Sequence, residues 1–79
     1  SLLRFGYDAL RGNDFPEATY YFRLATTLFP QSWRSFEGLG AVYKAQNRLD
    51  SARFMLAKAQ QLNPQAYATA DTYLKQGYR

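Results

Sequence analysis

Apolar and small residues return along this chain at helical spacing. From Trp33 to Pro64 it reads WRSFEGLGAVYKAQNRLDSARFMLAKAQQLNP. Phe36, Leu39, Gly40 and Tyr43 form one run, and Ala52, Leu56, Ala59 and Leu62 form another. The polar break Gln46-Asn47-Arg48 lies between them. Two short amphipathic helices joined by a tight turn fit this pattern better than strands, which would alternate with period two. The pattern then repeats. Shifted back by 34 residues, Pro64 falls on Pro30, Leu62 on Leu28, Ala59 on Ala25, Ala52 on Ala18, Asn47 on Asn13 and Gly40 on Gly6. Bulky places stay bulky: Phe36 falls on Leu2, Leu39 on Phe5, Leu49 on Phe15 and Leu56 on Phe22. Exposed places do not match, as with Arg53 on Thr19 or Lys44 on Leu10. Agreement confined to small and apolar sites marks a shared packing scheme, and this period is that of a helix-turn-helix repeat.

Five helices are expected. The first spans about 2–11, with Leu2, Phe5, Gly6 and Ala9 as its packed stripe. Gly12-Asn13 ends it, since both tolerate a left-handed backbone. Asp14 caps the second helix, Pro16 suits its first turn, and Glu17 stands where a capping box needs it. That helix runs to about Phe29, with Phe22 filling the space between Ala18 and Ala25. Pro30 stops it. Ser32 is an N-cap for a third helix over about 33–46, and Asn47 takes the next turn as Asn13 took the first. The fourth covers about 50–62, with Asp50 near its positive end. The last stretch, 65–79, reads as a fifth helix with Tyr67, Ala70, Tyr73 and Leu74 on its apolar side. It is either a cap over the fourth helix or the first half of a third repeat.

The chain resembles the tetratricopeptide repeat family. That family's motif sets an apolar residue, Leu-Gly, Tyr, Ala, Phe, Ala and Pro at fixed offsets. The second repeat holds Phe36, Leu39-Gly40, Tyr43, Ala52, Leu56, Ala59 and Pro64 in those places. The first holds Leu2, Phe5-Gly6, Ala9, Ala18, Phe22, Ala25 and Pro30, departing at Ala9, where a larger residue is usual. The resemblance implies an all-α fold, a right-handed α-solenoid of two repeats, about 1–32 and 33–66, and a capping or partial third unit over 67–79. It also implies that Gly6 faces Ala18 and that Gly40 faces Ala52.

Composition narrows the chemistry. The chain has 79 residues, 47% of them hydrophobic and 18% aromatic, which suits a single small folded domain rather than disorder. A core this small is marginal alone, but stacked repeats bury each unit on its neighbour. Because Ser1 to Arg4 already lie within the first helix pattern, a domain cut from a longer protein is expected. With no cysteine and no histidine, neither a disulfide framework nor a thiolate metal site can form, and the commonest general base is missing. No cofactor is expected. Ser32, Ser35 and Ser51 have no histidine to activate them, and no pair of carboxylates stands together for acid–base work. Glu37-Gly38-Leu39-Gly40 lacks the ending of a phosphate loop and falls mid-helix, where glycine serves close packing. The chain is therefore expected not to be an enzyme. Net charge is +4, but the ten Lys and Arg are scattered, so nucleic-acid binding is not expected. Nor is a membrane span, because no apolar run is long enough. Localisation is not legible, with the cytoplasm only leaned toward.

What remains is a surface. In the family, the first helix of each pair lines the concave side. By register that side holds Leu3, Tyr7 and Arg11, then Arg34, Glu37, Ala41 and Lys44, then Asp71 and Lys75. A groove so lined suits an extended or helical segment of a partner protein or peptide, with Leu3 and Tyr7 as apolar contacts and Arg11, Arg34 and Lys44 reaching carboxylates. The family's carboxylate clamp needs Lys and Asn where this chain has Leu3, Tyr7, Gly38, Ala68 and Thr72, so that mode is disfavoured. The expected function is protein interaction, scaffolding or chaperone-like. Two sharper resemblances stay open. Gly38-Leu39-Gly40-Ala41, with Gln46 and Ala52, resembles small chaperones of bacterial type III secretion systems. Phe29-Pro30-Gln31-Ser32-Trp33, with Leu39-Gly40 and Tyr43, resembles non-catalytic tails of some bacterial serine hydrolases. Homo-oligomers through the terminal helices are a further expectation.

Overall fold

The backbone of the computed structural model, which describes residues 1–67, bends sharply at two asparagines. Asn13 has φ 59° and Asn47 φ 60°, the left-handed conformation that asparagine tolerates better than most side chains. Each closes a helical hairpin. Helix α1 (Leu2–Arg11) pairs with α2 (Phe15–Leu28), and α3 (Trp33–Ala45) pairs with α4 (Leu49–Leu62). The turns match bond for bond. The Asn13 amide donates to the Leu10 carbonyl and Asp14 to Ala9; at the same offset Asn47 donates to Lys44 and Arg48 to Tyr43. The helix ends match as well, with Phe29 donating to Ala25 and Asn63 to Ala59. The 34-residue beat of the sequence is thus also a beat of the backbone. A further helical turn begins at 64–67. The rest of the expected fifth helix lies outside the described residues.

All the described secondary structure is helical, and the packing order follows the chain. Helix α3 is central: it packs on α1, α2 and α4, whereas α4 touches only α3 among the described helices. Most of the core is made of positions the periodicity marks: Ala18, Phe22, Ala25, Leu39, Tyr43, Ala52 and Ala59 are all buried. Val42, which the periodicity did not single out, is buried with them. Small residues at Ala18, Ala25, Ala52 and Ala59 let the helix axes approach, and Phe22 fills the gap between three helices.

Several local expectations are corrected. The atoms nearest to Gly6 belong to Phe22, which the register did not name: a methyl group placed on Gly6 would lie 2.7 Å from Cζ of that ring. A methyl on Gly38 would lie 2.8 Å from the same atom, so the ring sits between two glycines on neighbouring helices. Gly40 does face α4, against Leu56 and the Ala52 carbonyl. Phe5, expected in the packed stripe, is 51% exposed, while Leu39 at the matching place is 3% exposed. The difference is positional, because α3 has a helix on either side and α1 stands at the edge of the described array. Ser32 occupies the N-cap of α3 but its hydroxyl makes no capping bond. The Asp14 carboxylate accepts from the Glu17 amide at 3.1 Å, as a cap should. The reciprocal half of the box is not made, since the Asp14 amide is taken by the Ala9 carbonyl.

Candidate functional site

Between α1 and α3 runs a cleft of about 330 Å³ lined by Leu3, Arg4, Tyr7, Trp33, Arg34 and Glu37. Helical spacing builds both walls. Leu3 and Tyr7 are four residues apart on α1, hence stacked on one face, and Trp33, Arg34 and Glu37 occupy the first turns of α3. The floor is fixed from beneath, because Tyr7 meets Phe22 edge to face with centroids 4.9 Å apart. The cleft therefore stands directly on the ring that joins the two hairpins.

The segment after α4 reaches two of the cleft's lining residues, Glu37 and Trp33. The Tyr67 hydroxyl donates to Oε2 of Glu37 at 2.8 Å, and its ring meets Trp33 edge to face at 6.0 Å. The Arg34 guanidinium lies over the Trp33 indole, 5.4 Å from its centroid. Burial pushes the Tyr67 phenol well above its usual ionisation range. The hydrogen bond to Glu37 and the charges of Glu37 and Tyr7 push it further. Tyr7 is raised as well, first by burial and then by the Glu37 carboxylate, with Arg34 pulling the other way.

A pH dependence follows. Tyr67 ionises at a higher pH folded than unfolded, where a tyrosine titrates near 10. Its contribution is whole below that pH and is lost as pH rises toward the folded value. Urea midpoints measured from about pH 8 to about pH 11 are expected to fall, and to fall less steeply in Tyr67→Phe. Parallel profiles for the two proteins would show that the phenol contributes nothing.

Of the residues expected in the groove, Leu3, Tyr7, Arg34 and Glu37 are brought together. The others are not. Arg11 ends the α1 stripe with its guanidinium paired to Asp8, which lines a separate cleft between α1 and α2. Ala41 and Lys44 continue the α3 stripe, half-buried and exposed respectively, beyond the cleft. Asp71 and Lys75 lie outside the described residues, as do Ala68 and Thr72 of the clamp test. Sequence reasoning missed Arg4, Trp33 and the Tyr67–Glu37 bond. One signal for the last was available: Trp33 and Tyr67 are 34 residues apart, aromatic residues at one place of the repeat.

No helix among the described residues is long and apolar enough to cross a membrane. No protein-family model matches the chain, and no curated protein or solved structure matches it.

Proposed function

We propose that this chain is a protein-interaction module of the tetratricopeptide-repeat kind, a right-handed α-solenoid that holds a segment of a partner protein in the groove between α1 and α3 and performs no chemistry of its own. The observation that carries this reading is the convergence of Leu3, Tyr7, Arg34 and Glu37, from two different helices, on one cleft. The recurrence of the turn bonds and of Asn13 and Asn47 supports the family assignment. Aromatic and Arg side chains around a cleft are the groups that anchor partner segments, because they bring large contact area together with hydrogen-bond donors. The role is scaffolding or chaperone-like, and the partner segment supplies the specificity.

Partner capture should separate the two faces of the molecule. Tyr7→Ala, or Leu3→Ala if the first variant loses helicity by circular dichroism, is expected to abolish retention of a co-expressed partner. Arg53→Ala is expected to leave it intact, since Arg53 pairs with Asp50 on the exposed side of α4. Equal loss, or equal retention, would overturn the groove assignment.

A further inference from the structure

We propose that the segment held in the α1–α3 groove is acidic: an extended stretch with carboxylates flanking an apolar or aromatic side chain, which seats on Leu3, Tyr7 and Trp33 while Arg4 and Arg34 take the carboxylates. This rests on the reading of the cleft as a peptide site and adds the chemistry of its occupant.

The case comes from where the cations are engaged. Arg11 and Arg53 pair with Asp8 and Asp50 on their own helices. Arg23 donates to the Tyr43 hydroxyl at 3.4 Å, Arg48 lies over the Tyr43 ring, and Lys58 over that of Phe36. Arg4, Arg34 and Lys44, by contrast, are exposed and make no ion pair or side-chain hydrogen bond among the described residues. Lys44 stands beyond the cleft, whereas Arg4 and Arg34 line it, Arg34 over an indole that is itself part of the lining. Arg34 is held over Trp33, so its guanidinium is partly ordered before any ligand arrives, and less freedom is lost on binding.

The cleft's own carboxylate is already engaged, because Glu37 accepts the hydrogen bond of Tyr67. The Tyr7 hydroxyl has no hydrogen-bond partner among the described residues and offers a further donor. The site thus presents two cations, one carboxylate that is already hydrogen-bonded, and a neutral donor around an aromatic floor, an excess of one positive charge. A basic segment would meet repulsion from Arg4 and Arg34, and a neutral one would leave them unused. Net charge of +4 steers acidic partners toward the whole molecule. A nucleic acid would also bring negative charge, but two cations neutralise few phosphates, and binding of that kind needs many.

A displayed library of random peptides, selected on the wild-type chain, tests this directly. The selected peptides are then synthesised and titrated by the fluorescence of Trp33, the single tryptophan of the chain. They are expected to carry Asp and Glu on both sides of an aromatic or large apolar residue. Arg4→Gln and Arg34→Gln should each weaken binding by up to about five-fold, as solvent-exposed charge pairs do when one partner is removed. Arg53→Gln should not change it. Binding should weaken as salt rises from about 0.05 to about 0.5 M.

Neutral or basic peptides that still require Tyr7 would overturn the acidic occupant and leave the groove standing. Peptides that bind Tyr7→Ala as well as the wild type, or no enrichment at all, would overturn the groove and the acidic occupant together. Displacement of a selected peptide by oligothymidylate at matched salt would reassign the site to single-stranded nucleic acid.

Discussion

Phe22→Ala is expected to remove most of the stability of this domain. The Phe22 side chain is fully buried, at 0% exposure, and sits where α1, α2 and α3 meet. It also supports the Tyr7 ring. Truncating a buried phenylalanine costs about 3–5 kcal/mol, through lost transfer energy and the cavity left behind. A chain of this length has about 4–12 kcal/mol in all. Urea unfolding followed by circular dichroism should show the midpoint fall by about a quarter or more, or no cooperative transition. Leu56, at the matching place in the second hairpin, is only half-buried, so Leu56→Ala should cost less. Equal losses at the two positions would mean that the ring is not the joint between the hairpins. Loss of binding should follow in Phe22→Ala, because the floor of the cleft goes with the ring.

The second large effect comes from adding a single carbon. Glycine inside a helix is unfavourable relative to alanine by about 1 kcal/mol, so propensity alone says that Gly38→Ala stabilises. Sterics say the opposite. The new Cβ would stand 2.8 Å from Cζ of Phe22, and the ring has little room to yield because the same end of it is already crowded against Gly6 on α1. Overpacking of this kind costs about 1–3 kcal/mol, which exceeds the propensity gain over most of that range. A lower urea midpoint is therefore expected for Gly38→Ala. Pairing it with Phe22→Leu should recover part of the loss, a coupling that a double-mutant cycle measures. A raised midpoint for Gly38→Ala would show that the ring moves freely. Gly40→Ala should be milder, because the atoms it meets belong to the flexible Leu56 side chain, the nearest at 3.0 Å.

Much of the fold could be read from spacing alone. Ala18, Ala25, Ala52 and Ala59 recur on the helical beat and are buried, and Asn13 and Asn47 recur at the turns and take the left-handed backbone. What spacing could not give is which atom of a neighbouring helix fills the room beside a small residue. Gly6 was matched to Ala18 by register, yet the ring that occupies its space comes from one turn further along α2. Gly38 carried a signal, a poor helix former in mid-helix, but nothing in the sequence says that Phe22 needs it. Phe5 shows the complementary limit: periodicity marks the face that seeks cover, and neighbours decide whether cover arrives. In the cleft, Leu3, Tyr7, Arg34 and Glu37 followed from register. Arg4 and Trp33 did not, because long side chains reach around a helix edge that a positional stripe treats as a boundary. Arg11 was misplaced for a related reason, since its guanidinium turns to Asp8.

The most direct test of the groove is to watch every backbone amide while a selected peptide binds. Titration of the ¹⁵N-labelled chain should move the signals of Leu3, Arg4, Tyr7, Arg34 and Glu37, together with the indole of Trp33, well before others. The outer helices offer an internal control in Tyr20 and Phe54, which are 63% and 71% exposed and make good alternative landing points. Shifts concentrated around Tyr20 and Phe54, with the α1–α3 signals unmoved at saturation, would contradict the groove assignment.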